Sequence, residues 1–205
     1  MNLNKKFIAV LVILLALGLM LYSRNVASAE ADVGVGVEAE VAVACEELAL
    51  QEPELTEEER LMQHIEQTAE RYNLSDSLVK AVIQTESSFR SDAVNHNGTC
   101  FGLMQINQST TSDWIAKQLG MMSYDLLDPY DNVLMGCFYL DYLRGLWLAE
   151  GCTDEDAFAL MLISYNRGVR GCNKWLATHD DLFDNAYVRE VLKWKIEFEK
   201  GEMTE

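Results

Sequence analysis

Ser75-Asp76-Ser77-Leu78-Val79-Lys80-Ala81-Val82-Ile83-Gln84-Thr85-Glu86-Ser87-Ser88-Phe89 is the run on which the reading of the fold turns. Ser75 has the chemistry of an N-cap, and Asp76 places a negative charge in the first turn, where the helix end is positive. Leu78, Val79, Val82, Ile83 and Phe89 then recur at helical spacing, which predicts an amphipathic helix. Glu86 lies four residues after Val82 and three after Ile83, so it falls on the inward face of that helix near its end. A carboxyl group there loses hydration and meets the negative end of the helix dipole, and both effects favour the protonated form and raise its pKa. The alternative is an ordinary i,i+4 pair with Arg90 on a solvated face.

Outward from this helix the chain keeps the same period. Thr56-Glu57-Glu58-Glu59 fits a capping box opening a helix through Leu61, Met62, Ile65 and Ala69. After a polar stretch at residues 91–99, Phe101-Gly102-Leu103-Met104-Gln105-Ile106 reads as a turn feeding a short helical segment, and residues 112–119 as a further helix. Asp131 is a candidate cap for a long helix through Val133, Leu134, Cys137, Leu140 and Leu143. Thr153 with Asp156 caps another that is apolar nearly all round, the mark of a buried central helix. That helix is expected to end at Tyr165-Asn166-Arg167-Gly168, with Gly168 as a left-handed C-cap. A last helix sets Tyr187, Val191, Trp194 and Phe198 on one face. With only two prolines in the whole chain and no convincing strand run in the domain, the predicted fold is mainly α, in a single helical domain.

The 205 residues divide by composition. Residues 1–29 carry Lys5 and Lys6, an apolar run at 7–22, and Ala27-Ser28-Ala29, a small-x-small cleavage pattern; they read as an export signal or as a retained membrane anchor. Either reading places the rest of the chain outside the cytoplasmic membrane. Residues 30–55 are acidic, without basic or aromatic side chains, and read as an extended linker. Residues 56–200 form the folded domain and 201–205 a tail. Beyond residue 29, 13 basic residues face 33 acidic ones, a formal charge of −20. Such a field repels phosphate, and no basic stripe with interleaved aromatics offsets it, which argues against a nucleic-acid partner. The five cysteines, Cys45, Cys100, Cys137, Cys152 and Cys172, do not have zinc-site spacing. In an exported chain the four in the domain are expected to form two disulfides, with three connectivities open, leaving Cys45 over.

The ordered set Glu86-Ser87, Gly102-Leu103-Met104-Gln105, Tyr165-Asn166 and Tyr187-Val188 resembles the motif series of the soluble lytic transglycosylase family, whose lysozyme-like fold is shared with goose-type lysozymes. Asp128-Pro129-Tyr130-Asp131-Asn132, Gly136 and Tyr139-Leu140 resemble the stretch between the second and third motifs, so the likeness runs through most of the domain. It implies cleavage of the β-1,4 bond between N-acetylmuramic acid and N-acetylglucosamine in peptidoglycan glycan strands. The muramic 6-hydroxyl would displace the leaving sugar and give a 1,6-anhydro end, with no water consumed and no cofactor needed. Glu86 matches the family's single acid/base. Ser87 matches a residue expected to assist by hydrogen bonding, while Met104 and Gln105 match residues lining the sugar cleft. Tyr165 and Asn166 match the pair beside the catalytic carboxyl, and Tyr187 matches a further cleft tyrosine.

The chain also departs from the pattern. Residues 95–101 differ from the usual serine-containing loop, residues 107–110 lack the common proline, and Arg167-Gly168-Val169-Arg170-Gly171 replaces a small-residue turn. His96, in a polar loop, reads as solvated. Two other functions stay open at this point. A goose-type muramidase would hydrolyse the same bond and, in a two-carboxylate scheme, would need a second acid about 5 to 9.5 Å from Glu86, for which Asp92 is the candidate. A non-catalytic wall-binding or assembly module would retain the cleft without turnover. A tethered domain of this kind also suits service to an envelope-spanning machine.

Overall fold

The computed structural model describes residues 54–201. The export or anchor segment at 1–29 with its tether at 7–22, Cys45, and the linker at 30–55 apart from Glu54 and Leu55 lie outside the described residues, as do residues 202–205 of the tail. The elements in order are α1 (Glu57–Arg71), α2 (Asp76–Ser87), β1 (Cys100–Phe101), β2 (Ile106–Asn107), a π-helical turn (Gln108–Ser112), α3 (Asp113–Leu119), α4 (Pro129–Ala149), α5 (Asp154–Leu176), a 3-10 turn (Leu182–Asp184) and α6 (Ala186–Lys200).

Local chemistry accounts for most helix starts. Thr56 and Glu59 form a reciprocal capping box on α1, the Ser75 hydroxyl accepts from the Leu78 amide on α2, and the Thr153 hydroxyl accepts from the Asp156 amide on α5. Helix α4 is capped by Asp128, not Asp131. The Asp128 carboxylate accepts from the amides of Tyr130 and Asp131, with Pro129 as the first helical residue. Asp131 lies in the first turn and accepts from the Asp125 amide at 2.9 Å. In α5 the expected stop at Gly168 is a kink: Gly168 has φ 68° and ψ 159°, which breaks the helix without ending it, and helical structure continues to Leu176.

The turn at residues 101–106 is a β-hairpin and not the start of a helix. Phe101 pairs with Ile106 and Cys100 with Asn107, antiparallel, so Gly102-Leu103-Met104-Gln105 forms the loop between the strands. One buried side chain on α4 holds it. The Asn132 amide oxygen accepts from the Met104 amide at 2.7 Å, and its nitrogen donates to the carbonyls of Phe101 at 2.9 Å and Leu126 at 2.8 Å. Gly102, at φ 76°, lies against this amide: a Cβ there would meet the Leu126 oxygen at 2.2 Å and Asn132 Nδ2 at 2.3 Å. One turn along α4, Gly136 makes room for Met104, whose Sδ would lie 2.2 Å from a Cβ at that position.

The core forms where α4 packs on α5 and α2 on α6. Val79, Val82 and Ile83 of α2, Leu140 and Leu143 of α4, Met161 to Ile163 of α5, and Val188 and Val191 of α6 are sealed from solvent. α5 is the apolar central helix that its sequence suggests. The two expected disulfides are not formed: Cys100, Cys137, Cys152 and Cys172 all carry free thiols. Cys137 sits wholly within the core, where burial pushes its thiol pKa up and it acts as a small apolar residue.

Asn132→Ala would remove three hydrogen bonds to backbone groups from a buried position. It is expected to lower unfolding stability by about 3 kcal/mol or more, read as a lower urea midpoint.

Candidate active site

Glu86 is the penultimate residue of α2 and is half-buried. Helix α2 ends immediately after it because Ser88 and Phe89 take left-handed backbone angles, φ 54° and 61°. That turn removes Arg90 from an i,i+4 register, and its Nε donates instead to the Ser87 carbonyl at 3.1 Å. The partner of Glu86 comes from the far end of the domain. The Tyr187 hydroxyl donates to Glu86 Oε1 at 2.6 Å. Tyr187 stands at the start of α6, where the Asn185 side chain accepts from the amides of Tyr187 and Val188.

Burial is the main influence on Glu86 and lifts its pKa above the ordinary glutamate range. The Tyr187 hydrogen bond opposes that shift by favouring the ionised form, and the Glu190 carboxylate, one turn further along α6, reinforces it. Tyr187 is itself buried, and its pKa is raised well above the usual tyrosine value of 10, so it remains a donor.

Glu86 opens on a cleft of about 470 Å³ between the hairpin, α4 and the kinked part of α5. Gln105, Tyr165 and Asn166 line the same cleft, and among the described residues lining it Glu86 is the one acid. The Tyr165 hydroxyl donates to the Met104 carbonyl at 2.7 Å, which ties α5 to the hairpin loop. Gln105 has φ 49°, and its amide nitrogen donates to the carbonyls of Ala93 at 3.1 Å and Gly102 at 2.9 Å. Three other singled-out residues sit behind this surface. The Ser87 hydroxyl, buried, donates to the Ile83 carbonyl at 3.2 Å; the Met104 side chain is sealed against Gly136; and Tyr187 reaches Glu86 from beneath. Asp92, His96 and Arg170 are exposed and do not line the cleft, whereas Arg167 and Gly168 do.

Several lining residues were not assigned a site role by sequence, though all but Thr111 lie in loops or motifs compared there with the family: Asn95, Cys100, Asn107, Thr110, Thr111 and Tyr139. Asn95 and Asn107 carry a readable signal, since each folds its own loop. The Asn95 oxygen accepts from the amides of Thr99 and Cys100, and that of Asn107 from Ser109 and Thr110. Glu190 was also missed, being an exposed helical glutamate with no distinguishing pattern. Among the described residues no group of histidine, cysteine or acidic side chains is placed to hold a metal ion. A second groove, of about 480 Å³, opens between α1, α2 and α6, and contains none of the residues singled out as site residues.

The transglycosylase SLT domain profile matches residues 63–188. The chain belongs to the transglycosylase SLT domain family. This SLT domain is 35% identical over 109 residues to the membrane-bound lytic murein transglycosylase C of Yersinia enterocolitica, and 32% identical over 109 residues to that of Klebsiella pneumoniae. Each match covers 51% of this chain and 30% of the relative, so the aligned part spans less than a third of those proteins' length. The SLT fold is also that of solved structures. An inactive mutant of the lytic transglycosylase Slt from Pseudomonas aeruginosa aligns with a TM-score of 0.56 at 23% identity, covering 68% of this chain and 24% of that one. The 70 kDa soluble lytic transglycosylase of Escherichia coli aligns at 0.55 with 21% identity and the same coverage.

A carboxyl whose folded pKa is raised binds its proton more tightly in the native than in the unfolded state. Stability therefore falls as pH rises from the ordinary value of 4.5 through the folded pKa. Glu86→Gln removes that penalty, so the variant is expected to melt above the parent at pH 7 to 8, with the difference vanishing near pH 4. Thermal denaturation across this range would check it, and a variant that melts below the parent throughout would show that the carboxyl is not strained.

Proposed function

We propose that this protein is a lytic transglycosylase of peptidoglycan, cleaving the N-acetylmuramic acid–β-1,4–N-acetylglucosamine bond without water, with Glu86 as its single acid/base. The observation that carries this reading is the half-buried Glu86 carboxyl, its pKa raised by burial and held by Tyr187, the one acid among the described residues that line the cleft. A glutamate tuned towards neutrality serves as an acid and then as a base at one working pH. Protonated Glu86 donates to the glycosidic oxygen as the bond to muramic C1 breaks and the 4-hydroxyl of N-acetylglucosamine leaves. The resulting carboxylate then takes the proton of the muramic 6-hydroxyl, whose oxygen closes on C1 to form the 1,6-anhydro ring. Atoms balance without water, and no metal or cofactor enters.

Tyr187 is assigned to positioning Glu86 and limiting the rise of its pKa. Gln105, Tyr165 and Asn166 are assigned to the sugars. Ser87 and Met104 support the site from behind, through the end of α2 and the seat of the hairpin. The names of the curated relatives include "membrane-bound". With the apolar run at residues 7–22, this supports a location outside the cytoplasmic membrane, either released or tethered, and local opening of the wall is a service that an envelope-spanning machine would use.

Mass spectrometry of muropeptides released from purified peptidoglycan tests the reaction. Wild-type protein should yield anhydro products one water lighter than hydrolysed ends, and Glu86→Gln should lose at least about 10³ in rate. Reducing ends would mean a muramidase, and binding without products a wall-binding module. Tyr187→Phe removes a hydrogen bond that lowers the Glu86 pKa, so the alkaline limb of its pH–rate profile should move to higher pH. A downward shift would refute that role for Tyr187.

A further inference from the structure

The aromatic lining of the cleft does not stop at its rim. Tyr139 and Tyr165, whose ring centroids lie 5.7 Å apart, both line the cleft with Glu86. From Tyr139 the ring contacts continue outward, to Tyr142 at 6.3 Å, stacked within 12°, and to Trp114 at 6.4 Å. Trp114 and Tyr142 themselves meet at 4.6 Å. Tyr142 follows Tyr139 by one turn of α4, and Trp114 stands on α3, just after the Gln108–Ser112 turn whose Thr110 and Thr111 line the cleft.

Tyr139 and Tyr165 are partly buried, but Trp114 keeps 36% and Tyr142 42% of its surface exposed. Isolated exposed aromatics are ordinary on protein surfaces. Two in mutual contact that continue the lining of a cleft extend its apolar wall outward. The neighbouring charges are occupied: the Asp141 carboxylate is paired with Arg144, and Asp113 accepts from the Tyr124 hydroxyl. The patch is therefore an apolar corner, its two ring planes 60° apart, on a chain of strongly negative charge. A pyranose ring fits it, because its C–H face stacks on an aromatic face and needs no complementary charge.

We infer that Trp114 and Tyr142 form a stacking platform for a sugar ring of the glycan strand lying beyond those held in the cleft, an inference that rests on the functional reading above. It gives the acidic protein a grip on its polymer that does not depend on charge. Short glycans would fill the cleft alone, and long strands would reach the platform as well.

The test measures binding of glycan strands freed of stem peptides to the full-length Glu86→Gln protein, comparing long strands with a single tetrasaccharide by calorimetry. Trp114→Ala and Tyr142→Ala are each expected to weaken binding of long strands about three- to tenfold and to change tetrasaccharide binding much less, measured well below the melting temperature of each variant. Trp114→Phe, which keeps a ring, should recover most of the loss. An equal loss for both lengths would overturn the platform, and so would no loss for either, provided the parent binds glycan. A parent that binds neither length, with a wild-type protein that releases no muropeptides, would bring down the functional reading and the platform with it.

Discussion

A single amide, that of Asn132, decides whether the parts of this site can meet. The hairpin that carries Gln105 is two residues deep on each strand and cannot hold its own shape, because so short a ladder makes too few hydrogen bonds to offset the entropy of ordering the loop. Asn132 answers a backbone donor and a backbone acceptor of that hairpin and a further carbonyl at Leu126, all from one rigid position on α4. Its burial strengthens each bond and makes the loss of any one expensive. Gly102 permits the approach, and Gly136 clears the space for Met104 beneath it. Tyr165 then closes the arrangement from α5 by donating to the Met104 carbonyl. The hairpin loop is thereby fixed from two helices, α4 and α5.

Much of this was legible in the sequence, and what was not has physical reasons. The capping box at Thr56 and Glu59 and the caps at Ser75 and Thr153 are local chemistry, which a sequence displays directly. The placement of Glu86 followed from periodicity, and burial does raise its pKa. The hairpin was hidden because two-residue strands have no alternation to show and because Gln105 takes a positive φ that its residue type rarely adopts. Asp128 was passed over although the proline after it marks a first helical position. Gly168 announced a break, but no local rule told that Val169 onwards would resume the helix. The cysteines misled for a different reason: their expected pairing came from the compartment alone, whereas Cys137 is committed to the core.

Electrostatics at Glu86 are a contest between two neighbours on one helix face. Tyr187 favours the charged form of the carboxyl and Glu190 the neutral one, with burial outweighing both. Because Tyr187 and Glu190 ride on the same turn of α6, displacement of that helix would alter both influences together. The Asn185 cap at its start thus contributes to the acid–base character of a residue that it does not touch.

The bond between Tyr187 and Glu86 also has a meaning in time. It joins residues 101 positions apart and is donated by the last helix of the domain. A contact of such separation carries a loop-closure cost that local helical contacts do not. As the chain emerges from its N-terminus, Glu86 is complete in sequence long before α6 arrives to cover and orient it. The environment that raises the Glu86 pKa therefore depends on a helix encoded a hundred residues after it, and a chain lacking α6 would carry Glu86 without the tyrosine that holds it.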